Sequence, residues 1–328
     1  MRGDIIPFGG NQTLTTFRRM NFKTDAADIA RLYSYTSAEP MTAESACEWW
    51  TWSEREFRVT TLALNENRQA IGYWDMDREP WRDPRHFYIK VIVAPEERGH
   101  GLGAQMYEEA LRVVRVHGAT HLKSTVRETD LVSLKFAERR GFKIEHHTFV
   151  STLDLIDFDE LRFDGLMARV HTEGSCFFSL AEAGVTEENK RKLYEVNRAT
   201  GLDNPGNDGT FPDFHTFSKD VFEASWFRAD TQILASYHDQ WVGLAAIGIY
   251  PEDQHAYNAF TGVLSKYRRR GLAQALKLQT IRLAKQKGMR YIRTDNDSKK
   301  TPMLAINRNL GYRPEPGYYK LLCVLDQV

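Results

Sequence analysis

A short glycine pattern occurs twice in this chain of 328 residues, and a second landmark follows each copy at the same distance. Arg98-Gly99-His100-Gly101-Leu102-Gly103 closes an apolar run and opens an amphipathic stretch. Arg268-Arg269-Arg270-Gly271-Leu272-Ala273 does the same about 170 residues later. Gly141-Phe142 lies 43 residues beyond Arg98, and Gly311-Tyr312 lies 43 residues beyond Arg268. Self-similarity at a fixed period means that one supersecondary unit has been used twice. Glycines clustered by chance do not bring a matched second landmark with them. The chain therefore reads as two copies of one module.

The length fits two domains of ordinary size. Lys+Arg and Asp+Glu balance at 44 each, so no global field points to nucleic acid or an anionic membrane, and any basic site must be local. Cys47, Cys176 and Cys323 lie far apart with no CxxC spacing. That argues against a disulfide framework and a zinc site, leaves no metal in the expectation, and favours three small buried side chains in a reducing compartment. The N-terminus lacks an apolar leader, and no apolar run approaches membrane-spanning length, so the expected location is cytoplasmic.

Residues 1–13 read as an irregular arm, 14–158 as the first module, 159–172 as a charged helical linker and 173–328 as the second module. In the first module a strand near Thr15–Met20 leads to a helix N-capped by Asp25, then to a tryptophan-rich helix over Glu44–Glu56. Strands follow at Val59–Leu64, Ala70–Met76 and Phe87–Val93, the last ending at the glycine motif. Behind the motif, Leu102, Met106, Ala110 and Val113–Val114 mark one buried helix face. His121–Val126, Val132–Arg139 and Ile144–Leu153 complete it as strand, helix and closing strand. The second module repeats this order and closes with a strand at Tyr319–Leu325. Each module is thus α+β, a mixed and mostly antiparallel sheet flanked by helices.

A strand that turns into a helix through glycines leaves several backbone N–H groups without partners, at the positive end of the helix dipole. Such a turn binds phosphate or diphosphate. Residues Gly99, His100, Gly101, Leu102, Gly103 and Ala104 form it in the first copy, with Arg98 adding charge. Arg268, Arg269, Arg270, Gly271, Leu272, Ala273 and Gln274 form it in the second. Neither copy has the Lys-Ser/Thr pair of a P-loop, and neither follows the first strand of a βαβ unit as a dinucleotide fingerprint must.

The two stretches Val93-Ala94-Pro95-Glu96-Glu97-Arg98-Gly99-His100-Gly101-Leu102-Gly103 and Val263-Leu264-Ser265-Lys266-Tyr267-Arg268-Arg269-Arg270-Gly271-Leu272-Ala273 resemble the acyl-CoA signature of the GCN5-related N-acetyltransferase (GNAT) family. The family's short late helix ending in Gly-Phe/Tyr has its likeness at Ser133–Phe142 and Met303–Tyr312. The resemblance runs from about residue 14 to the C-terminus, and the layout is similar to that of two-module members. It implies acetyl-CoA, or another short acyl-CoA, as co-substrate, lying in a split beside the motif strand. The backbone of Val91, Ile92 and Val93, and of Thr261, Gly262 and Val263, would then bind the pantetheine. Asn296 and Asn307 are further cofactor candidates, each with a plain alternative as a turn residue or a helix-surface polar.

The implied activity is acetyl transfer to the primary amine of a small molecule by direct attack on the thioester. Such chemistry needs an amine without its proton, a stabilised oxyanion and a proton for the departing thiolate. The tyrosine that many family members place four residues before the glycine of the late helix is Ala137 in one module and Asn307 in the other. Tyr312, Tyr318 and Tyr319 are candidate substitutes. Asp295, with Asp297, and Glu128 in the first module, are candidate bases. Asp203, Asp208 and Asp213 with Phe211 and Phe214 form an acidic, aromatic loop suited to a cationic amine, or simply a turn-rich loop. Trp49, Trp50 and Trp52 occupy the matching stretch of the first module. The second module, with the more basic motif and the acidic loop, is the expected catalytic one, in a monomer or homodimer. A role for one or both modules as non-catalytic scaffold stays open.

Overall fold

In the computed structural model the described residues are 15–37, 40–52, 57–78, 83–204, 207 and 209–325. The first unit comprises Met1–Glu145 with Tyr318–Val328, and the second His146–Gly317. Its N-terminal elements are β1 (Thr16–Arg19), α1 (Phe22–Ser34), α2 (Ala43–Trp52), β2 (Phe57–Leu64), β3 (Ala70–Arg78) and β4 (His86–Val93). Then come α3 (Leu102–Val116), β5 (His121–Arg127), α4 (Leu131–Glu138) and β6 (Lys143–Asp154). The remaining elements are α5 (Asp164–Thr172), β7 (Ser175–Ser179), α6 (Leu180–Ala183), α7 (Glu187–Leu202), α8 (Phe214–Phe217), β8 (Gln232–Tyr237), β9 (Gln240–Tyr250) and β10 (His255–Val263). The chain ends with α9 (Leu272–Gln286), β11 (Tyr291–Asp297), α10 (Thr301–Leu310), β12 (Arg313–Pro314) and β13 (Tyr318–Val324).

Within the first unit the sheet order is β1-β2-β3-β4-β5-β13. Only β4 and β5 run parallel, because α3 carries the chain back between them. Pleating sends Phe87, Ile89 and Leu122 to the α3 face, where they pack with Met106, Ala110 and Val114. Leu62, Tyr73 and Ile92 alternate to the other face, under Ile29 and Leu32 of α1. In the second unit the order is β6-β11-β10-β9-β8-β7, with β12 added to β6 and only β10 and β11 parallel. Its α9 face buries Leu272, Ala275, Leu276 and Ile281.

The closing strands differ from expectation. The strand over Ile144–Leu153, read as the edge of the first module, pairs antiparallel with β11, from Thr148 opposite Asp297 to Asp154 opposite Tyr291. The C-terminal strand β13 pairs with β5, from Tyr318 opposite Arg127 to Val324 opposite His121. Leu321 and Cys323 are therefore core residues of the first unit. Each half of the sequence lends its last strand to the other unit's sheet, so the expected boundary at 158 does not divide the fold.

The expected linker is also part of a core: Phe163, Met167 and Val170 project from it into the apolar interior of the second unit. The helix cap at the start of α1 is Asn21, whose side chain accepts from Lys23 N. Asp25 instead turns inward and accepts from Arg18 Nη1 and Nη2 at 2.6 and 2.9 Å. Of the three thiols only Cys323 is buried, while Cys47 is half-buried and Cys176 exposed. The arm 1–13, Asp208 and the side chains of Trp49, Trp50 and Trp52 lie outside the described residues. Among the described residues no helix is long and apolar enough to cross a membrane.

Candidate active site

In the first unit β4 and β5 pair only from His86–Tyr88 to His121–Lys123. One further link, Ser124 Oγ donating to Ile89 O at 2.8 Å, ends the contact. Beyond it Val91, Ile92 and Val93 keep their partners on β3, while the edge toward β5 opens into a cleft. Two adjoining cavities of about 150 and 380 Å³ lie in that cleft, sharing Thr36, Val91, Ile92, Ser133, Phe136 and Arg140. One end is walled by Arg98, Gly99, Gly101, Gly103 and Ala104. The other is walled by Tyr33, Lys90, Arg127 and Tyr318.

The glycines have a physical reason. Gly101 is the N-cap of α3 at φ 88°, and Gly99 sits at φ 85°, both in the left-handed region that L side chains avoid. A Cβ at either would meet nothing within 4 Å, so the loop faces open space. The first backbone bonds into Gly101 O come from Ala104 and Gln105, which leaves the N–H groups of Leu102 and Gly103 available. Arg98 spends its Nε on Val93 O at 3.1 Å, tying the loop to the strand end. A free strand edge leading to such a helix terminus suits an extended ligand with amides along its length and a diphosphate at one end.

The same frame in the second unit is filled differently. β10 and β11 pair over four residues, and Thr294 Oγ1 donates to Asn258 O as Ser124 does to Ile89. A bulge between Asn258 and Phe260 then disturbs the strand that continues to Thr261, Gly262 and Val263. Gly271 has φ 86°, but a Cβ there would lie 2.7 Å from Leu166 and 3.0 Å from Arg169, so α5 covers the turn. Arg269 adopts φ 62°, Arg270 stacks over the Tyr237 ring and Arg268 is ion-paired to Asp203 at 2.6 Å. Arg268 also repeats the tie of Arg98, donating from Nε to Val263 O at 2.9 Å.

Asn296 and Asn307 are turned inward. Asn296 Nδ2 donates to Ser151 Oγ at 2.9 Å and to the Phe149 and Thr294 carbonyls, and Asn307 Nδ2 donates to Asn296 Oδ1 at 2.6 Å. Beside them Lys277, 1% exposed, donates to Asn258 Oδ1 at 2.6 Å and lies 5.0 Å over the Tyr312 ring. Burial pulls the Lys277 ammonium down to about 7 and raises Tyr312 well above the ordinary phenol range. The Tyr312 hydroxyl and Asn307 Oδ1 are buried without a partner.

Other candidates also find structural partners. Asp295 accepts from the Tyr257 hydroxyl, and burial together with that carboxylate pushes the Tyr257 phenol up. Asp297 faces His146 at 3.5 Å. Asp213 caps α8 by accepting from Thr216 N, which lowers its carboxyl. Phe211 and Phe214 pack edge and face around Tyr194. Tyr318 and Tyr319 travel with β13 to the first unit, where Tyr318 lines the cleft and Tyr319 packs against the α3-side core. Gln274, Leu272 and Ala273 belong to α9, and Leu272 is buried. Lys90, Arg127 and Arg140 line the first unit's cleft without having been singled out from the sequence. Pleat period would have put Lys90 and Arg127 on the face toward α1, had the topology been known.

Comparison with known proteins agrees with this geometry. The acetyltransferase (GNAT) family model matches residues 27–142 and 200–312. Over 124 residues the chain is 28% identical to an L-2,4-diaminobutyric acid acetyltransferase of Nocardia farcinica, covering 37% of this chain and spanning 63% of that enzyme's length. A GCN5-related N-acetyltransferase from Sphaerobacter thermophilus superposes with TM-score 0.70 at 18% identity, over 94% of this chain and 95% of its own. A tandem GNAT protein from the clavulanic acid biosynthesis pathway gives TM-score 0.70 at 16% identity, over 96% and 99%. With two family segments covering most of its length, a motif strand splayed from its neighbour and a glycine turn opening the following helix, the chain belongs to the GNAT acetyltransferase family.

Proposed function

We propose that the first unit transfers an acetyl group from acetyl-CoA to the primary amine of a small molecule, and that the second unit is a closed scaffold. The observation that carries this reading is the pair of adjoining cavities that reach Gly101 at one end and Tyr318 at the other, set against the turn at Gly271 with α5 side chains against it. It moves the expected catalytic role from the second module to the first. The relative's named acceptor, a diamino acid, is consistent with an amine of this size.

Acetyl-CoA supplies the acetyl group already activated as a thioester. The free edge of Val91–Val93 binds amides of the cofactor arm and offers a backbone N–H to the developing oxyanion. Leu102 and Gly103 N–H groups hold the diphosphate, with Arg139 and Arg140 beside the same cavity. Ala137, buried on the cleft wall, leaves the usual tyrosine position empty of chemistry. Tyr318, delivered by β13, is the hydroxyl that donates a proton to the departing thiolate. Tyr33 faces the same end, its phenol raised by burial and then by Tyr318.

The test is acetyl-CoA binding by calorimetry and thiol release with a panel of amines, for the parent protein, Gly101→Glu and Arg269→Glu. Gly101→Glu removes both binding and turnover, whereas Arg269→Glu keeps them. Turnover that survives Gly101→Glu in a folded protein, or is lost only with Arg269→Glu, overturns the assignment.

A further inference from the structure

We propose that the amine acceptor carries a carboxylate, and that Arg127 is the residue that binds it; this rests on the first unit being the catalytic one. Pleating places Lys90 of β4 and Arg127 of β5 on the face of the sheet toward α1, at the end of the cleft away from the glycine turn. Arg127 touches the segment that follows α1, donating from Nη1 to Ser37 O at a long 3.4 Å. Tyr318 stands opposite it in the β13 register. Among the described residues Arg127 has no carboxylate partner, in contrast to Arg18 with Asp25, Arg58 with Asp75 and Arg293 with Glu315. A guanidinium has five N–H donors in a planar fork, and here they are almost unspent.

The charge around it points the same way. Lys90 holds its ammonium 4.4 Å from the centre of the Tyr33 ring. The cleft's acid at this end, Asp130, is occupied as the cap of α4, accepting from Ser133 N at 3.0 Å and Ser133 Oγ at 2.7 Å. Asp75, on the same sheet face, is held by Arg58 Nε and Nη2 and by Thr60 Oγ1. Lys90 is partly buried opposite Asp75, with Asp77 on the same strand, so Arg127 is the cation this wall offers to an incoming molecule. An amino acid brings a planar, two-oxygen anion that pairs with the Arg127 fork.

The experiment compares matched acceptors with and without the acid group: L-2,4-diaminobutyrate against 1,3-diaminopropane, L-ornithine against putrescine, and O-phosphoethanolamine as a phosphate-bearing amine. The parent protein prefers the carboxylated partner by at least tenfold in kcat/KM. Arg127→Met raises KM for the amino acid at least tenfold and brings the ratio toward one, Arg127→Lys restores part of it, and the acetyl-CoA Kd moves less than threefold. Equal use of the paired acceptors, a preference for O-phosphoethanolamine, or a preference that survives Arg127→Met overturns the carboxylate site. No transfer to any of them by a protein that binds acetyl-CoA and acetylates another amine also overturns it, and leaves the proposed function standing. Failure to bind acetyl-CoA at all is the separate outcome that removes the proposed function.

Discussion

At residue scale the two units differ at matching places. Where the first cleft has Tyr107, Ala137 and Phe142 on its wall, the second has Lys277, Asn307 and Tyr312. Lys277 sets a measurable pH dependence. Its ordinary value is 10.5 and the fold holds it at about 7, so between these values the unfolded chain carries the extra proton. Stability therefore rises with pH across that window, and the full cost is present below pH 7. Lys277→Met removes this cost and leaves Asn258 Oδ1 its bond from Thr261. The variant should be stabilised most below pH 7, by at most about 5 kcal/mol, with the gain fading toward pH 10. Denaturant melts of both proteins at pH 6 and pH 10 check it. Tyr318→Phe belongs to the same scale: loss of a general acid costs about 10²-fold or more in kcat. An unchanged kcat would release Tyr318 from that role, and the acetyl-CoA Kd should stay put.

At element scale, α5 shows how a segment read as a tether becomes a lid. The side-chain tips of Leu166 and Arg169 lie 2.7 and 3.0 Å from where a Cβ would stand at Gly271, so Gly271→Ala strains a positive φ and must also displace those tips. Gly101→Ala meets only the conformational cost, about 1–2 kcal/mol. Melting the two variants side by side should show the larger loss for Gly271→Ala. The elements themselves were legible in the sequence: apolar alternation gave the strands, and Leu102, Met106 and Ala110 marked the buried face of α3. Gly101 and the Val91–Val93 edge were legible too, because a glycine turn after a strand is a local signal. The partner of each closing strand was not. Ile144–Leu153 and Tyr319–Leu325 both have strand character, and period two states which face is buried but not which sheet edge is joined. The inward turn of Asn296 and Asn307 was hidden in the same way, since the bonds of Asn296 to Phe149 and Ser151 depend on that distant strand.

At the scale of the whole molecule, the exchange makes the two halves of the sequence unequal to the two units. Ending the chain at Gly317 removes β13, and with it Leu321, Cys323 and Tyr318, from the first unit. The truncated protein should lose acetyl transfer although its glycine motif, 98–103, is intact. Residues 1–145 expressed alone should fail to fold cooperatively, and adding 318–328 in trans or by fusion should restore cooperative melting. Leu321→Ala is the mild version, with an expected loss of about 2–5 kcal/mol for a buried leucine.

The exchanged strand also has a consequence in time. A ribosome releases β5 roughly 190 residues before it releases β13, an interval of about 10–40 s at ordinary elongation rates. Throughout that interval the nascent first unit presents β5 as an open edge, the kind of surface on which neighbouring chains aggregate. Synthesis thus supplies the strand that carries Tyr318 after the rest of the cleft, so a chain cut short upstream of β13 should lack the transfer activity proposed for the first unit.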